Sequence, residues 1–329
     1  MTILAGDTGG TKTRLALVTP GESFLRMEAE AEYRSGDYPG LAALVRDFLA
    51  DHGGEPHAAA FGIPGPVIGG RARVTNLPWE VDADALGREL GIARVALLND
   101  LEATAHGIGE LRSADVEVIA EGDADAGGNA ALIAAGTGLG EAGLYWDGVR
   151  HRPFATEGGH ADFAPETEVD FALHRHLAER EGHVSWERVL SGPGLENIHE
   201  FLRSYRGSAL PQWLEDAIAA GDPAAAIARA AEARTCPVCS EALDAFIRYY
   251  GAEAGNLALK FMATGGVFIG GGIAPRMAGR FQEPDFLEAF RAKGRMRPLM
   301  ERMPVKLIRN DRAALLGAAR YAALLGERP

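Results

Sequence analysis

The chain opens with two apolar segments separated by a short polar turn. Residues 2–6 read TILAG and residues 13–18 read TRLALV, and the glycine-rich turn DTGGTK stands between them. Within the second segment, RLAL alternates leucine with a charged or small residue, which is the two-residue period of a strand rather than the period of a helix. The pattern predicts two β-strands joined by a tight turn.

The following segments alternate between helical and strand patterns. Residues 37–52 carry apolar side chains at positions 41, 44, 45, 48 and 49, which predicts an amphipathic helix. Residues 58–67, AAAFGIPGPV, predict a strand that ends in a Pro/Gly turn, and residues 93–100, ARVALLND, predict a buried strand. A helix is expected directly after it, at LEATAHGIGEL. Residues 1–110 are therefore predicted to form an α/β unit.

The same plan begins again near the middle of the chain. Residues 129–148, NAALIAAGTGLGEAGLYWDG, contain an apolar strand, a turn rich in Gly and Thr, and a second apolar strand. Thr11 and Thr137 occupy comparable places in the two turns, and this hint of duplication suggests two related α/β domains facing one another. We expect a small domain at residues 1–110 and a large domain with helical insertions at 111–310.

Most of the remaining segments have helical patterns. Residues 168–205 and 212–262 are predicted to be mostly helical, with a break at SGPG, residues 191–194. The segment GGVFIGGGIAP predicts a strand that runs into a glycine turn. The final segment, RAALLGAARYAALLG, predicts a helix that packs back onto the protein, so we expect about residues 311–329 to complete the small domain.

Composition and charge narrow the possible partners. Glycine makes up 42 of 329 residues, about twice the usual share, and is clustered, which points to local backbone chemistry. The net charge of −13 argues against a surface for nucleic acid or an anionic membrane. No uncharged run is long enough for a membrane helix, and the start MTILAGD lacks an export signal. A cytoplasmic protein is expected, and any anionic substrate must be held by backbone N–H groups or a metal ion.

The glycine-rich turns do not match the common nucleotide motifs. A P-loop fails because Lys12 follows Thr11 rather than Gly, and because a strand rather than a helix comes next. Gly138, Gly140 and Gly143 match G-x-G-x-x-G by spacing, but the segment that follows also reads as a strand. The common serine-hydrolase motif G-x-S-x-G is absent. A dinucleotide site and that hydrolase class are therefore rejected.

The two turns GDTGGTKT and GTGLG, with a third glycine-rich turn at 270–272, instead suit a phosphate. Glycine lets successive N–H groups point into one concavity and lets a phosphate approach without a Cβ in the way. Thr11 and Thr137 can each add a hydroxyl donor. Asp7 would repel a phosphate directly, yet it is suitable for holding a hydrated Mg²⁺ ion.

Several polar residues have both a functional and a structural interpretation. Asn99 and Asp100 follow an apolar strand, where α/β proteins gather ligands, but such residues also cap helices. Glu157 and His160 stand three residues apart in a glycine-rich loop that is otherwise an ordinary polar loop. Considered without the other residues, Glu187 is typical of an acidic residue in the first turn of a helix. The residues by themselves leave these alternatives open.

The two cysteines, Cys236 and Cys239, form the pair CPVC. Zinc or redox chemistry is one interpretation of such a pair. A structural zinc site requires four ligands, however, and the chain has no second pair of cysteines. A partly buried helical pair is the favoured interpretation, and no disulfide framework is expected.

Taken together, the segments resemble the bacterial glucokinase family, within the hexokinase-like, actin-related superfamily. The resemblance runs the length of the chain and depends on the order of the segments more than on any one of them. In chain order, the matching segments are GDTGGTKTRLAL, PGPV, TNLPW, LLNDLEA, AAGTGLGEA, EGGHADFAP, ERVLSGPGL, GNLAL, GGVFIGGGIAPR and LLGAA.

The resemblance implies the fold and the activity. It implies two actin-like, RNase H-like α/β domains with mixed sheets flanking an interdomain cleft. It implies ATP-dependent phosphorylation of glucose to glucose 6-phosphate with Mg²⁺, in a homodimer that binds neither nucleic acid nor membranes. By motif match Asp100 would be the base toward the primary hydroxyl of the sugar, and Asp7 would hold the metal through water.

The resemblance also implies the remaining binding residues. Besides Asp100, the glucose-binding residues would be Asn99, Glu157, His160 and Glu187. The residues that would bind the phosphates and the nucleotide are Gly6, Asp7, Thr8, Gly9, Gly10, Thr11, Gly136, Thr137, Gly138, Gly271 and Gly272.

Two other interpretations stay open. One is a hexose kinase of broader specificity, or one that uses polyphosphate in place of ATP. The other is a sugar-sensing, nucleotide-binding protein without catalytic activity. Asp100 at the position of the base favours an enzyme.

Overall fold

The computed structural model describes residues 2–21, 25–123 and 127–326. The chain divides into two compact units. Unit 1 comprises Met1–Val116, His151–Ala155 and Asn310–Pro329, and unit 2 comprises Glu117–Arg150 and Thr156–Arg309.

Unit 1 is built on a five-stranded sheet with the order β3-β2-β1-β4-β7. Strands β1 and β2 are antiparallel and form the predicted hairpin, whereas β1, β4 and β7 run parallel. The elements are the strands β1 (Ile3–Thr8), β2 (Lys12–Pro20), β3 (Leu25–Arg34), β4 (Ala58–Ile63), β5 (Arg71–Arg73), β6 (Glu80–Asp82) and β7 (Arg94–Asn99), and the helices α1 (Leu41–His52), α2 (Ala83–Leu90), α3 (Asp100–Gly107) and α12 (Ala313–Gly326).

Both faces of this sheet are covered, which explains why its central strands are apolar at nearly every position. Along β1, Ile3 and Ala5 pack with α12 residues such as Ala318 on one face. Leu4 packs on the other face in a cluster that includes Phe48 of α1. Small residues on both sides allow α12 to lie directly against β1 and β4.

Unit 2 contains most of a six-stranded sheet with the order β11-β10-β9-β12-β13-β8. Its core joins this sheet to the helices through side chains such as Ile133, Val267, Leu195, Ile227 and Phe246. The strands of this sheet are β8 (Val116–Ala120), β9 (Ala130–Ala135), β10 (Leu139–Trp146), β11 (His151–Thr156), β12 (Gly266–Gly270) and β13 (Val305–Ile308). Residues His151–Ala155 of β11 are counted in unit 1. The helices of unit 2 are α4 (Glu168–Glu181), α5 (Gly192–Tyr205), α6 (Gln212–Ala219), α7 (Pro223–Glu232), α8 (Pro237–Phe261), α9 (Ala278–Phe281), α10 (Pro284–Arg291) and α11 (Arg297–Met300).

Several boundaries differ from the sequence prediction for identifiable local reasons. The SGPG segment, predicted as a break, is the start of α5, because the Ser191 side chain accepts the N–H of Gly194 and Pro193 suits the first turn. The long helical segment 212–262 is divided by caps at Asp222 and Cys236, each followed by a proline. The final helix ends within the described residues at Gly326, and residues 327–329 lie outside them.

The segment between the first hairpin and α1 contains an unpredicted strand. Strand β3 pairs with β2 along its length, from Lys12↔Arg34 to Pro20↔Leu25, and α1 begins four residues later than the helical pattern suggested. Among the described helices, none is both long and apolar enough to cross a membrane.

Candidate active site

The carboxyl ends of three parallel strands bring the first group of predicted residues together in unit 1. Asp7 near the end of β1 lies opposite Gly62 of β4, and Ile63 of β4 lies opposite Asn99 at the end of β7. Asp100 follows immediately as the first residue of α3. Parallel strands end at the same edge of a sheet, which is where α/β proteins gather ligands.

Asn99 has the structural role that the sequence left open. Its Oδ1 accepts the N–H groups of Leu101, at 2.9 Å, and of Glu102, at 3.4 Å, and its Nδ2 donates to the carbonyl of Gly65 at 3.1 Å. The residue is therefore the N-cap of α3. This cap fixes the direction in which α3 leaves the sheet, and so it fixes the backbone of Asp100. A sugar contact from Asn99 stays a prediction.

Two carboxyl groups interact at this edge. Burial, and then the charge of Asp100, raise the pKa of Asp7 to about 6, whereas Arg14 acts in the opposite direction. Close carboxylates disfavour each other's charge, and a cation between or beside them removes that penalty. In addition, the buried hydroxyl of Thr8 has no hydrogen-bond partner among the described residues. This set of oxygen atoms fits a hydrated Mg²⁺ ion.

The first glycine turn is held by its own backbone and by a serine from outside the motif. Gly9 N–H donates to the Lys12 carbonyl at 2.8 Å, and a Cβ at Gly9 would lie 2.7 Å from that oxygen. Ser35 donates from Oγ to the Gly9 carbonyl at 2.7 Å and from N–H to the Thr11 carbonyl at 3.0 Å. Lys12 itself forms an ion pair with Glu32 of β3. Ser35 was not predicted, because only the β2–β3 pairing brings it to the turn.

The second glycine turn, in unit 2, is held by a carboxylate. Gly136 N–H donates to the Gly138 carbonyl at 2.8 Å, and Leu139 N–H donates to Oε2 of Glu187 at 2.9 Å. A Cβ at Gly138 would lie 2.5 Å from the same oxygen. Glu187 therefore supports the turn, whichever ligand it also contacts.

A cavity of about 660 Å³ in unit 2 lies beside this turn and beside the turn that follows β12. Three predicted nucleotide residues line it: Gly136, Thr137 and Gly272. A Cβ added at Gly136 or at Gly272 would meet no protein atom within 4 Å. The packing of the protein thus does not require glycine at these two positions, which instead leave open space.

Residues of α5 and α7, and residues that follow the β12 turn, also line this cavity. The N-terminal end of α5, where backbone N–H groups favour an anion, contributes Gly192. The other lining residues, which the sequence reasoning missed, are Pro193, Leu195, Glu196, Asp222, Ala224, Ala225, Ala228, Arg229, Glu232, Ile273, Arg276 and Met277. Pro193, Leu195, Ile273 and Arg276 lie in the segments ERVLSGPGL and GGVFIGGGIAPR that carried the family resemblance. The lining residues of α7 lie far from both segments in the sequence and gave no signal.

The packing of the protein itself requires glycine at position 271. Its φ of +84° lies in the left-handed region, and a Cβ there would lie 2.3 Å from the carbonyl oxygen of Ala135. The residue allows the β12 turn to pass close to the end of β9. A direct nucleotide contact from Gly271 stays a prediction.

Glu157 and His160 are brought to the same region of unit 2 as Glu187. Gly158–His160 forms one short helical turn, and 3.8 Å separate Nε2 of His160 from Oε2 of Glu157. Trp186 N–H donates to the Ala161 carbonyl at 2.9 Å, which ties this loop to the turn that carries Glu187. Glu157 and His160 are exposed and Glu187 is half-buried, so all three are accessible to a ligand.

A buried carboxyl pair that the sequence did not suggest lies behind this loop. Thr156 Oγ1 donates to the Glu141 carbonyl at 2.9 Å, and a Cβ at Gly158 would lie 1.9 Å from Oε2 of Glu141. Burial and the neighbouring Glu253 raise the pKa of Glu141 to about 8. Glu141 is therefore protonated at neutral pH.

Comparisons with known proteins agree over the whole chain. The family model described as Glucokinase matches residues 4–325. A glucokinase from Trichormus variabilis is 42% identical, over 98% of this chain and 99% of the relative, and one from Aromatoleum aromaticum is 41% identical, over 98% and 96%.

Solved structures give the same result for the fold. A glucokinase from an Antarctic psychrotroph superposes with a TM-score of 0.87 at 32% identity, covering 98% of this chain and 99% of the other. A ROK-family glucokinase from Streptomyces griseus, solved in complex with glucose and AMPPNP, has a TM-score of 0.65 at 21% identity and covers 98% and 100%. The predicted fold class, an actin-like α/β fold with mixed sheets, is confirmed.

Proposed function

Since the chain belongs to the glucokinase family, we propose that it transfers the γ-phosphoryl group of ATP to the primary hydroxyl of glucose and forms glucose 6-phosphate. The chain is an enzyme of this family, as its resemblance predicted. From the same family resemblance we propose a homodimeric, cytoplasmic protein that uses Mg²⁺.

The cavity in unit 2 is the observation that carries this proposal. Its volume of about 660 Å³ suits a nucleotide, and Gly136, Thr137 and Gly272 line it without any packing requirement for the two glycines. Glycine at an open position lets an oxygen-rich ligand approach the backbone N–H groups directly. In a chain with a net charge of −13, local groups must supply the attraction for phosphate: these N–H groups, a metal ion, and the arginines Arg229 and Arg276 that line the cavity.

Phosphoryl transfer mainly requires that the protein position the reactants and stabilise the charge of the transition state. We propose that Asp100 accepts the proton of the sugar's primary hydroxyl as the new O–P bond forms and the bond to ADP breaks. Its backbone is fixed by the Asn99 cap of α3. Mg²⁺, when bound, would neutralise charge on the phosphates, and Asp7 and Thr8 are the residues proposed to face it through water.

The remaining proposed sugar contacts are Asn99, Glu157, His160 and Glu187. Carboxylates, an amide and an imidazole suit a sugar because each can engage one or two hydroxyl groups. An analogue that lacks one hydroxyl would leave a polar group of the site without a partner, which gives the enzyme its discrimination. Because Glu187 also accepts the N–H of Leu139, it would link the sugar contacts to the second glycine turn.

A coupled assay with the full chain tests the proposal. ADP formation is followed with Mg²⁺, each of several hexoses, and either ATP or polyphosphate as donor, and the product is identified by mass spectrometry. We expect ADP formation that depends on glucose, and one glucose 6-phosphate for each ADP. Transfer from polyphosphate alone, or equal rates with all hexoses, would replace the proposal with one of its kinase alternatives. Nucleotide and sugar binding without any turnover would favour a sugar-sensing protein.

A further inference from the structure

Three potential metal ligands meet in the interior of unit 2, outside the proposed active site. His199 belongs to α5, Cys236 is the N-cap of α8 and Cys239 lies in the first turn of α8. The sulfur atoms and a ring nitrogen all lie within 4.8 Å of one another. His199 and Cys236 are each 5% exposed and Cys239 is fully buried. Packing of α5 against α8 creates this cluster, since 37 positions separate the histidine from the first cysteine.

The imidazole of His199 has, within the described part of the chain, no protein partner that would compete with a soft or borderline cation. Among the described residues, neither ring nitrogen of His199 has a hydrogen-bond partner. A metal ion binds an imidazole in its neutral form and replaces the proton of each thiol.

We propose that His199, Cys236 and Cys239 form a three-ligand site for Zn²⁺, with a fourth position for water. Zinc binds two thiolates and an imidazole in tetrahedral geometry, with Zn–S distances of about 2.3 Å and Zn–N distances of about 2.0 Å. Such an ion separates its ligand atoms by roughly 3.3–3.8 Å. Since the three atoms lie within 4.8 Å of one another, the cluster needs to contract by at most about 1.5 Å. Binding releases two thiol protons to solvent and changes no oxidation state.

The position of the pair in the fold favours a metal over a disulfide. Cys236 Sγ accepts the N–H of Cys239 at 3.3 Å, at the N-terminal end of a 25-residue helix. The helix dipole is favourable to the negative charge that two thiolates bring there. A disulfide would use only the cysteines and would leave the buried imidazole unexplained. Residues 232–235, immediately before Cys236, are exposed, so the cluster lies close to the surface of unit 2.

The site would stabilise the walls of the cavity described above. Helix α5 packs against α7 and α8, and both α5 and α7 line that cavity. His199 lies three residues after Glu196 of the lining, and Cys236 lies four residues after Glu232. A bound ion would therefore fasten α5 to the α7–α8 junction. This inference stands independently of the proposed kinase activity, since it needs only the three ligands.

Cobalt titration of the full-length, reduced, metal-free protein tests the proposal. Co²⁺ replaces Zn²⁺ in tetrahedral sites and gives a thiolate charge-transfer absorption and intense visible bands. We expect both signals to saturate at one Co²⁺ per chain and to disappear when Zn²⁺ is added. The variants Cys236→Ser and Cys239→Ser should each bind cobalt more weakly and show at most the charge-transfer intensity of a single thiolate. Serine keeps the helix cap at position 236, so that variant is expected to fold.

Two histidine variants separate a three-ligand site from a cysteine pair. His199→Gln should change the visible bands and weaken cobalt binding about tenfold or more. The matched control is His176→Gln, because His176 is a half-buried histidine of α4 that packs against Phe201 of α5. That control should bind cobalt as the unaltered chain does.

Alkylation of the unaltered chain gives a test that requires no variant to fold. One equivalent of Zn²⁺ should protect both cysteines from alkylation, as measured by mass spectrometry. The proposal is overturned if cobalt gives no thiolate absorption, or if His199→Gln binds cobalt like the control. It is also overturned if Zn²⁺ leaves alkylation unchanged while mild oxidation removes two hydrogens from the chain and forms a disulfide.

Discussion

The two glycine-rich hairpins share a strand–turn–strand plan but use glycine for different reasons. In the β1–β2 turn, Gly9 is required by the protein, because a Cβ there would lie 2.7 Å from the Lys12 carbonyl oxygen. In the β9–β10 turn, Gly136 is not required by any protein atom and faces the 660 Å³ cavity. Packing of the protein therefore explains the glycine at position 9, whereas the empty Cβ position at Gly136 leaves room for a ligand.

The carboxyl groups near the two hairpins differ as well. Asp7, before the first turn, is partly buried beside Asp100, and its pKa is raised to about 6. Glu141, after the second turn, is almost completely buried with Glu253, and its pKa is raised to about 8. At neutral pH the first is mostly ionised and available to a cation, whereas the second is protonated and supports the protein. We therefore expect chemistry beside the first hairpin and nucleotide binding beside the second.

The largest effect is expected from Asp100→Asn, beside the first hairpin. Removing the proposed base should lower kcat about a hundredfold or more and should leave the KM for ATP nearly unchanged. Steady-state kinetics with circular dichroism measure both turnover and folding. The matched control is Asp84→Asn, because Asp84 is also an acid in the first turn of a helix of unit 1. Near-normal turnover in folded Asp100→Asn would remove Asp100 from the role of base.

The next effect should come from Gly136→Ala in the second hairpin. No protein atom obstructs the new Cβ, so thermal unfolding should be unchanged, while the KM for ATP rises about tenfold, equivalent to about 1.4 kcal/mol. The KM for glucose should stay constant. Gly279→Ala is the control, since Gly279 also has no atom within 4 Å of its Cβ position and lies outside the cavity lining. An equal rise of the KM for ATP in both variants would contradict the prediction.

A smaller effect is expected from Glu141→Gln on the pH dependence of stability. The folded protein binds the Glu141 proton more tightly than the unfolded chain, so the unaltered chain loses stability as the pH rises from 4.5 to about 8. Glutamine does not titrate, and the variant should gain stability relative to the unaltered chain over this range. Thermal unfolding between pH 4.5 and 9 measures the difference.

Glu253→Gln is the matched comparison for that variant. Burial also raises the pKa of Glu253, but Glu253 accepts from Nδ2 of Asn256 at 2.8 Å and pairs with Lys260. Glu253→Gln loses these contacts and should therefore be less stable at pH 7 than Glu141→Gln. If Glu141→Gln is the destabilised variant at pH 7 and Glu253→Gln is not, the proton of the pair belongs to Glu253 instead.

The smallest effect is expected from Asp7→Asn on stability in the absence of Mg²⁺. As for Glu141, the folded protein binds the Asp7 proton more tightly than the unfolded chain, so stability falls as the pH rises. The affected pH range is narrower, because the pKa of Asp7 is raised only from 3.8 to about 6. The variant should become more stable than the unaltered chain as the pH rises to 6, by about a few degrees in Tm, and the difference should then stay constant. Asp84→Asn serves again as the control. A difference that is the same at pH 4 and pH 7.5 would show that the carboxyl of Asp7 is not destabilised by its surroundings.

The sequence by itself determined the two hairpins, the strand that ends at Asn99, and the family. These features depend on local chemistry: the two-residue period of RLAL, glycine where a turn must be tight, and a cap residue directly after an apolar strand. The same local signals identified Gly136, Thr137 and Gly272, which do line the cavity.

Only the tertiary structure decided which residues support these features. Ser35 reaches the first turn through strand pairing, Glu187 supports the second turn across 48 positions, and Glu141 meets Glu253 only where β10 and α8 pack together. The cluster of His199 with the two cysteines likewise depends on the packing of α5 against α8. Contacts between distant segments are set by the packing of whole elements, and no short stretch of sequence encodes them. The period and composition of a segment determine its secondary structure. Its burial against other segments decides which residues it contacts.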